Sequence, residues 1–149
     1  MSNHAPIISS SSARGSFGEL ANTTGSTALR QLSGTMNFKD ADHGDAHTTT
    51  AALRSAVLSS GSVIPAASLA DFSTAMTSQI LSDHNGSGQL KWSFSDADRD
   101  FDFLSANQTL VLTYDITVAD NHGGTVKQTV TVTITGTDDK PVINAAADA

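Results

Sequence analysis

The residues of this chain best equipped for chemistry are its aspartates, which come in tight runs. Of 15 acidic residues only Glu19 is a glutamate. Asp40, Asp42 and Asp45 lie together; Asp96, Asp98, Asp100 and Asp102 recur at every second position; Asp120 opens a glycine-bearing stretch, and Asp138 and Asp139 are adjacent. Closely spaced carboxylates repel one another, so a bare cluster costs stability. A divalent cation with six to eight oxygen ligands removes that cost, and the short reach of Asp suits a hard ion such as Ca²⁺. The competing reading is of solvated turns, with each side chain bonded to its own backbone. Several clusters at the ends of expected strands favour calcium. On spacing alone, Asp96 and Asp98 are candidate ligands.

Other chemistries fit less well. The run from Asp96 to Asp100 opens like an EF-hand loop but puts Phe101 where glycine is needed and Asn107 where glutamate is needed. Asp120-Asn121-His122-Gly123-Gly124 does not extend into a glycine-rich nonapeptide repeat, and a plain hairpin loop accounts for His122 equally well. His43 and His47 are four apart, but Gly44 lies between them and no helical pattern supports a zinc pair. There is no cysteine, no Gly-x-Ser-x-Gly elbow and no phosphate-binding glycine loop. Paired carboxylates could cleave glycosides, yet one Trp and one Tyr are few for sugar subsites, and no catalytic residue is expected.

The elements that must position these acids are strands. The 149 residues suffice for one core, with 38% hydrophobic but only 5% aromatic residues. A net charge of −7 argues against nucleic acid or an anionic membrane as partner. No apolar stretch is long enough for membrane insertion, and the first residues lack the pattern of a signal peptide. Leu110, Leu112, Tyr114, Ile116 and Val118 alternate with mostly polar neighbours, as do Val126, Val130, Val132 and Ile134, which predicts a long antiparallel hairpin. Leu90, Trp92 and Phe94 predict another strand, Met36 and Phe38 one over 34–39, and a short edge strand is expected around Phe17–Leu20. Leu69, Phe72, Met76 and Ile80 recur at spacings of three and four, predicting a helix over 66–82 capped by Ser68. The fold class is an all-β antiparallel sandwich with that short helical insertion.

The two ends of the chain match. Asn3-His4-Ala5-Pro6-Ile7-Ile8 and Asp138-Asp139-Lys140-Pro141-Val142-Ile143 each place a polar pair, one residue, Pro and two β-branched aliphatics in order. This is the mark of a repeat whose boundary linker appears on both sides of one unit. The expected organisation is a segment 1–16, a sandwich 17–137 with an insertion at 50–90, and a linker 138–149.

The stretch Gly34–Thr48, with Phe38, Asp40, Asp42, Gly44, Asp45 and His47, resembles the opening of VCBS-type, cadherin-like repeats of large bacterial RTX-type adhesins. Leu110–Asp120, Gly123-Gly124-Thr125 and the tail from Thr129 through Ile143 resemble the close of the same repeat. The resemblance spans Asn3 to Ile143; Asp138 departs from a common Asn, and residues 50–90 look longer and more helical than a minimal repeat. It implies an immunoglobulin/cadherin-like sandwich, type I secretion with the signal elsewhere, and an extracellular place on the bacterial cell surface. It also implies Ca²⁺ held by Asp40, Asp42, Asp45, Asp120 and Asp139, with Glu19 a weaker candidate. The implied function is a calcium-stiffened structural or adhesive module for cell adhesion or biofilm formation, with neighbouring repeats of the same chain as partners. The alternative is a calcium-dependent, lectin-like polysaccharide-binding module, whose handles would be Trp92 or Tyr114; another cell-surface protein is a further possible partner.

Overall fold

A computed structural model describes residues 3–19 and 27–137. The strands are β1 (Ile7–Ser11), β2 (Arg14–Gly18), β3 (Leu29–Lys39), β4 (Thr48–Leu58), β5 (Met76–His84), β6 (Ser87–Ala97), β7 (Thr109–Ala119) and β8 (Thr125–Thr135). One helix, α1 (Ala66–Ala75), precedes β5, and a short 3-10 helix (Asp98–Phe101) follows β6. They form two four-stranded sheets, ordered β1-β3-β6-β5 and β2-β8-β7-β4. This is an immunoglobulin-like β-sandwich, with its first strand divided between the sheets. All pairings but one are antiparallel; β2 runs parallel to β8, from Arg14 beside Thr131 to Gly18 beside Thr135. Crossing from one sheet to the other at residues 12–13 brings β2 alongside β8 without a turn, which is why the uniformly antiparallel expectation has this exception.

Period-two alternation builds the core. Leu110, Leu112, Tyr114, Ile116 and Val118 on β7 face Leu90, Trp92 and Phe94 on β6, all of them fully buried. Each such side chain contributes about 1.5–3 kcal/mol by leaving water. The buried Trp92 and Tyr114 side chains also fasten the fold through their polar atoms. Trp92 Nε1 donates to the Ser12 carbonyl at 2.6 Å, pinning the crossover between β1 and β2. Tyr114 donates its hydroxyl to the Phe72 carbonyl at 2.7 Å, pinning α1.

The helix predicted over 66–82 stops at Ala75. Pro65 occupies its N-cap position without a side-chain cap, and Ser68 is buried inside the helix. Met76 and Ile80 belong instead to β5, which pairs with β6 from Met76 beside Phe94 to His84 beside Ser87. A spacing of four keeps two residues on one side of a strand as well as of a helix, and β6 offers backbone partners that a helix would leave unused. Residues 50–90 therefore hold most of β4, all of α1 and β5, and the start of β6. The expected edge strand near Phe17 is β2, and the strand expected at 34–39 begins at Leu29.

Candidate metal centres at the two poles

The eight strands leave a loop-bearing pole at each end. The 11-residue strands span about 33 Å at the usual rise, so the poles are well apart. At the amino-terminal pole, β3 ends at Lys39 and β7 at Ala119, and each is followed at once by an aspartate. The Asp40 N–H donates to the Gly86 carbonyl at 2.7 Å, fixing the end of β3 against the β5–β6 turn. Asp40 Oδ1 accepts from the Asp42 N–H at 2.9 Å, and the Asp45 N–H donates to the Asp42 carbonyl at 3.1 Å. The aspartates thus make the very turn that gathers them.

Across from this turn, Asp120 Oδ1 accepts the N–H groups of His122 and Gly124 at 2.8 and 2.9 Å. Its Oδ2 accepts from the Asn3 amide at 2.7 Å. Asp42 Oδ2 accepts the His4 N–H at 2.6 Å. Asp40, Asp42, Asp45 and Asp120 each bring an oxygen within 4.8 Å of the others. Four aspartates implied as ligands therefore meet, at the point where the chain enters the domain.

Their electrostatics differ. Hydrogen bonds from the His4 backbone and ring hold Asp42 below the ordinary carboxylate value. Desolvation pushes Asp120 upward, but the donors on Asn3, His122 and Gly124 outweigh it and leave it lowered. Burial raises Asp45, whose Oδ2 is buried without a donor even though His122 Nε2 lies 3.2 Å from its Oδ1. That orphaned oxygen, in an all-oxygen carboxylate set, fits a hard cation. Asp40, Asp42, Asp45 and Asp120 would hold Ca²⁺, with the Asn3 amide beside them.

The His43–His47 pair is no zinc site. The buried His47 ring bridges two carboxylates, with Nε2 2.9 Å from Asp40 Oδ2 and Nδ1 2.9 Å from Asp83 Oδ1. Burial alone would lower its pKa, but the bonds to Asp40 and Asp83 prevail and raise it. His47 thus orients Asp40. The relation of Asp83 to this pole was not legible in the sequence, where it reads as an ordinary turn residue.

At the carboxyl-terminal pole, Glu19 follows β2, and its Oε1 accepts the Thr137 N–H at 3.3 Å, where the chain leaves β8. Glu19, Asp98 and Asp102 form a second carboxylate group within 4.8 Å. Arg30 lies over the Phe17 ring at 5.1 Å, donates to the Gly18 carbonyl at 3.0 Å, and places Nε 3.9 Å from the fully buried Asp98. Asp139 lies outside the described residues.

Asp96 and Asp98, candidate ligands on spacing, fall in two different carboxylate groups. Asp96 joins Asp100 and Asp71 in a third group, while Asp98 joins Glu19 and Asp102. The run spaced by two is dealt alternately to two places because β6 ends at Ala97 and the 3-10 helix begins there. Asp71, on α1, carried no signal in the sequence, since helix and strand meet only in the folded chain.

Trp92 and Tyr114, the two candidate sugar-stacking rings, have no exposed surface. A groove of about 480 Å³ on the first sheet is lined by Ser9, Asn37, Lys39, Ser82, His84 and Gln89 among others, with no carboxylate in its lining. No described helix is long and apolar enough to cross a membrane.

No protein-family model matches the chain, and no curated protein matches it. Among solved structures it is similar to the periplasmic chaperone SfaE, at 6% identity and a TM-score of 0.44 over 95% of this chain; it spans 61% of that protein's length. It is also similar to the CooA pilin subunit of enterotoxigenic Escherichia coli, at 12% identity and a TM-score of 0.43, covering 91% of this chain and 99% of that one. A PapD-like domain of human CEP192 aligns at 11% identity with a TM-score of 0.41, covering 93% and 89%. Likeness at this level carries no argument about function.

Proposed function

We propose that this chain is a calcium-binding structural module of a large bacterial surface protein, one link of a tandem array that calcium stiffens for adhesion or biofilm formation. The observation that carries the reading is the placing of carboxylate groups at opposite poles, one tied to the arriving chain through Asn3 and His4, the other to the departing chain through Thr137. Ions bound there would fix the angle between neighbouring modules as well as the loops within one. In a calcium-poor cytoplasm the same carboxylates would repel and keep the chain loose for export. Outside, an ion that binds the folded chain better than the unfolded one adds stability with the logarithm of its concentration.

The test is a calcium titration of the melting temperature. At a hundredfold excess over Kd a single site adds about 2.7 kcal/mol, which for a domain of this size raises the midpoint on the order of 8 °C. A midpoint that does not move with calcium rejects the reading. A glycan array probed with and without calcium separates a spacer from a polysaccharide-binding module.

A further inference from the structure

We propose that Asp71, Asp96 and Asp100 form a third divalent-cation site, internal to the domain, that clamps α1 to the end of β6. The three side chains come from α1, β6 and the 3-10 helix, and one oxygen of each lies within 4.8 Å of the other two. Asp96 and Asp100 are 8% and 7% exposed, and each has a buried oxygen, Asp96 Oδ2 and Asp100 Oδ2, with no hydrogen-bond donor. A buried carboxylate oxygen without a donor bears its full desolvation cost, so two of them facing a third carboxylate need a positive partner. The cationic side chain that acts on Asp96 is Arg99. A divalent ion gives both orphaned oxygens a positive partner at once.

Calcium is the ion of choice because it tolerates irregular oxygen sets completed by water, and the exposed Asp71 leaves a side open to water. The consequence is structural. The α1 segment is held by the Phe72–Phe101 stack, ring centroids 5.5 Å apart, and by the Tyr114 bond to the Phe72 carbonyl. An ion bridging Asp71 to Asp96 and Asp100 adds a third fastening on the outer side of the same helix.

This site stands independently of the polar junctions, and one experiment separates the two. Calcium-binding calorimetry is run on the full chain, on Asp71→Asn and on Asp120→Asn, with amide exchange followed at Phe72. Asp71 is exposed, so its replacement leaves the core intact. The expected result is that Asp71→Asn binds one ion fewer, or binds it more than roughly tenfold more weakly, and that calcium no longer slows exchange at Phe72. Asp120→Asn should keep both the ion and the protection. If Asp71→Asn binds as many ions as the unchanged chain, with the same affinities, the third site is overturned whatever happens at the poles. If Asp120→Asn alone loses an ion, the junction reading survives without the clamp. A chain that binds no calcium at all overturns both.

Discussion

The Asp40 turn and the Asp96–Asp102 run have nearly the same spacing of aspartates and, Asp45 apart, opposite electrostatics. In the first, backbone and side-chain donors converge on the carboxylates: His4 on Asp42, Asn3, His122 and Gly124 on Asp120, His47 on Asp40. Asp42 and Asp120 consequently stay ionised with ease. In the second, Asp96 and Asp100 are raised by burial, and each keeps an oxygen without a donor. The difference is one of backbone geometry. A turn closed by Asx bonds aims N–H groups inward at its carboxylates, whereas the 3-10 helix uses its N–H groups on its own carbonyls and on Ala28. Equal numbers of acids therefore make one pole that is largely satisfied by hydrogen bonds and one region that depends on a cation or a proton.

The contrast can be broken most severely at His47. Its ring is fully buried between Asp40 and Asp83, so His47→Ala leaves a buried carboxylate unpaired and should lower stability by about 4 kcal/mol, read by denaturant unfolding. The loss should be largest below the ordinary histidine value of 6.5, where the pair is fully formed. It should shrink as pH rises through the raised folded pKa, because the ring then becomes neutral in the native chain too.

Next in size is the converse change in the second region. Asp100 keeps its proton up to about 8 in the folded chain but loses it near 3.8 when unfolded. Between those values the unfolded state binds fewer protons, so stability without calcium falls as pH rises and levels off above about 8. The groups facing Asp100 are Asp96 and Asp71, with Arg99 acting on Asp96. Asp100→Asn should flatten this slope and, in chelator at pH 8, stabilise the chain by about 2 kcal/mol. A slope unchanged in the variant would mean that the two regions are electrostatically alike after all.

The smallest effect sharpens the first region. A Cβ at Gly124 would meet Asp120 Oδ2 and come 2.8 Å from the Ala5 Cα. Gly124→Ala should push the arriving chain off the pole, costing about 1 to 2 kcal/mol and weakening calcium binding at that pole with little effect on Phe72 exchange.

Much of the frame could be read in advance. The alternation in β6, β7 and β8 was plain because a half-buried strand writes its two faces directly into the sequence. The meeting of Asp40, Asp42 and Asp45 was legible because they sit in one turn. Asp120 joined them through the resemblance. The end of α1 at Ala75 was not legible, since Met76 and Ile80 satisfy either period and only pairing with β6 decides between them. Asp71 and Asp83 were missed because each joins its carboxylate or histidine partners across elements distant in sequence.

By itself, the sequence determined that this chain is a sandwich with acidic strand ends, because side-chain periodicity and turn chemistry are local properties. Only the tertiary structure decided which acids become neighbours and which of them find donors. Asp96 and Asp98 stand two residues apart yet belong to different groups, since where a strand gives way to a helical turn is settled by the partners each backbone segment finds.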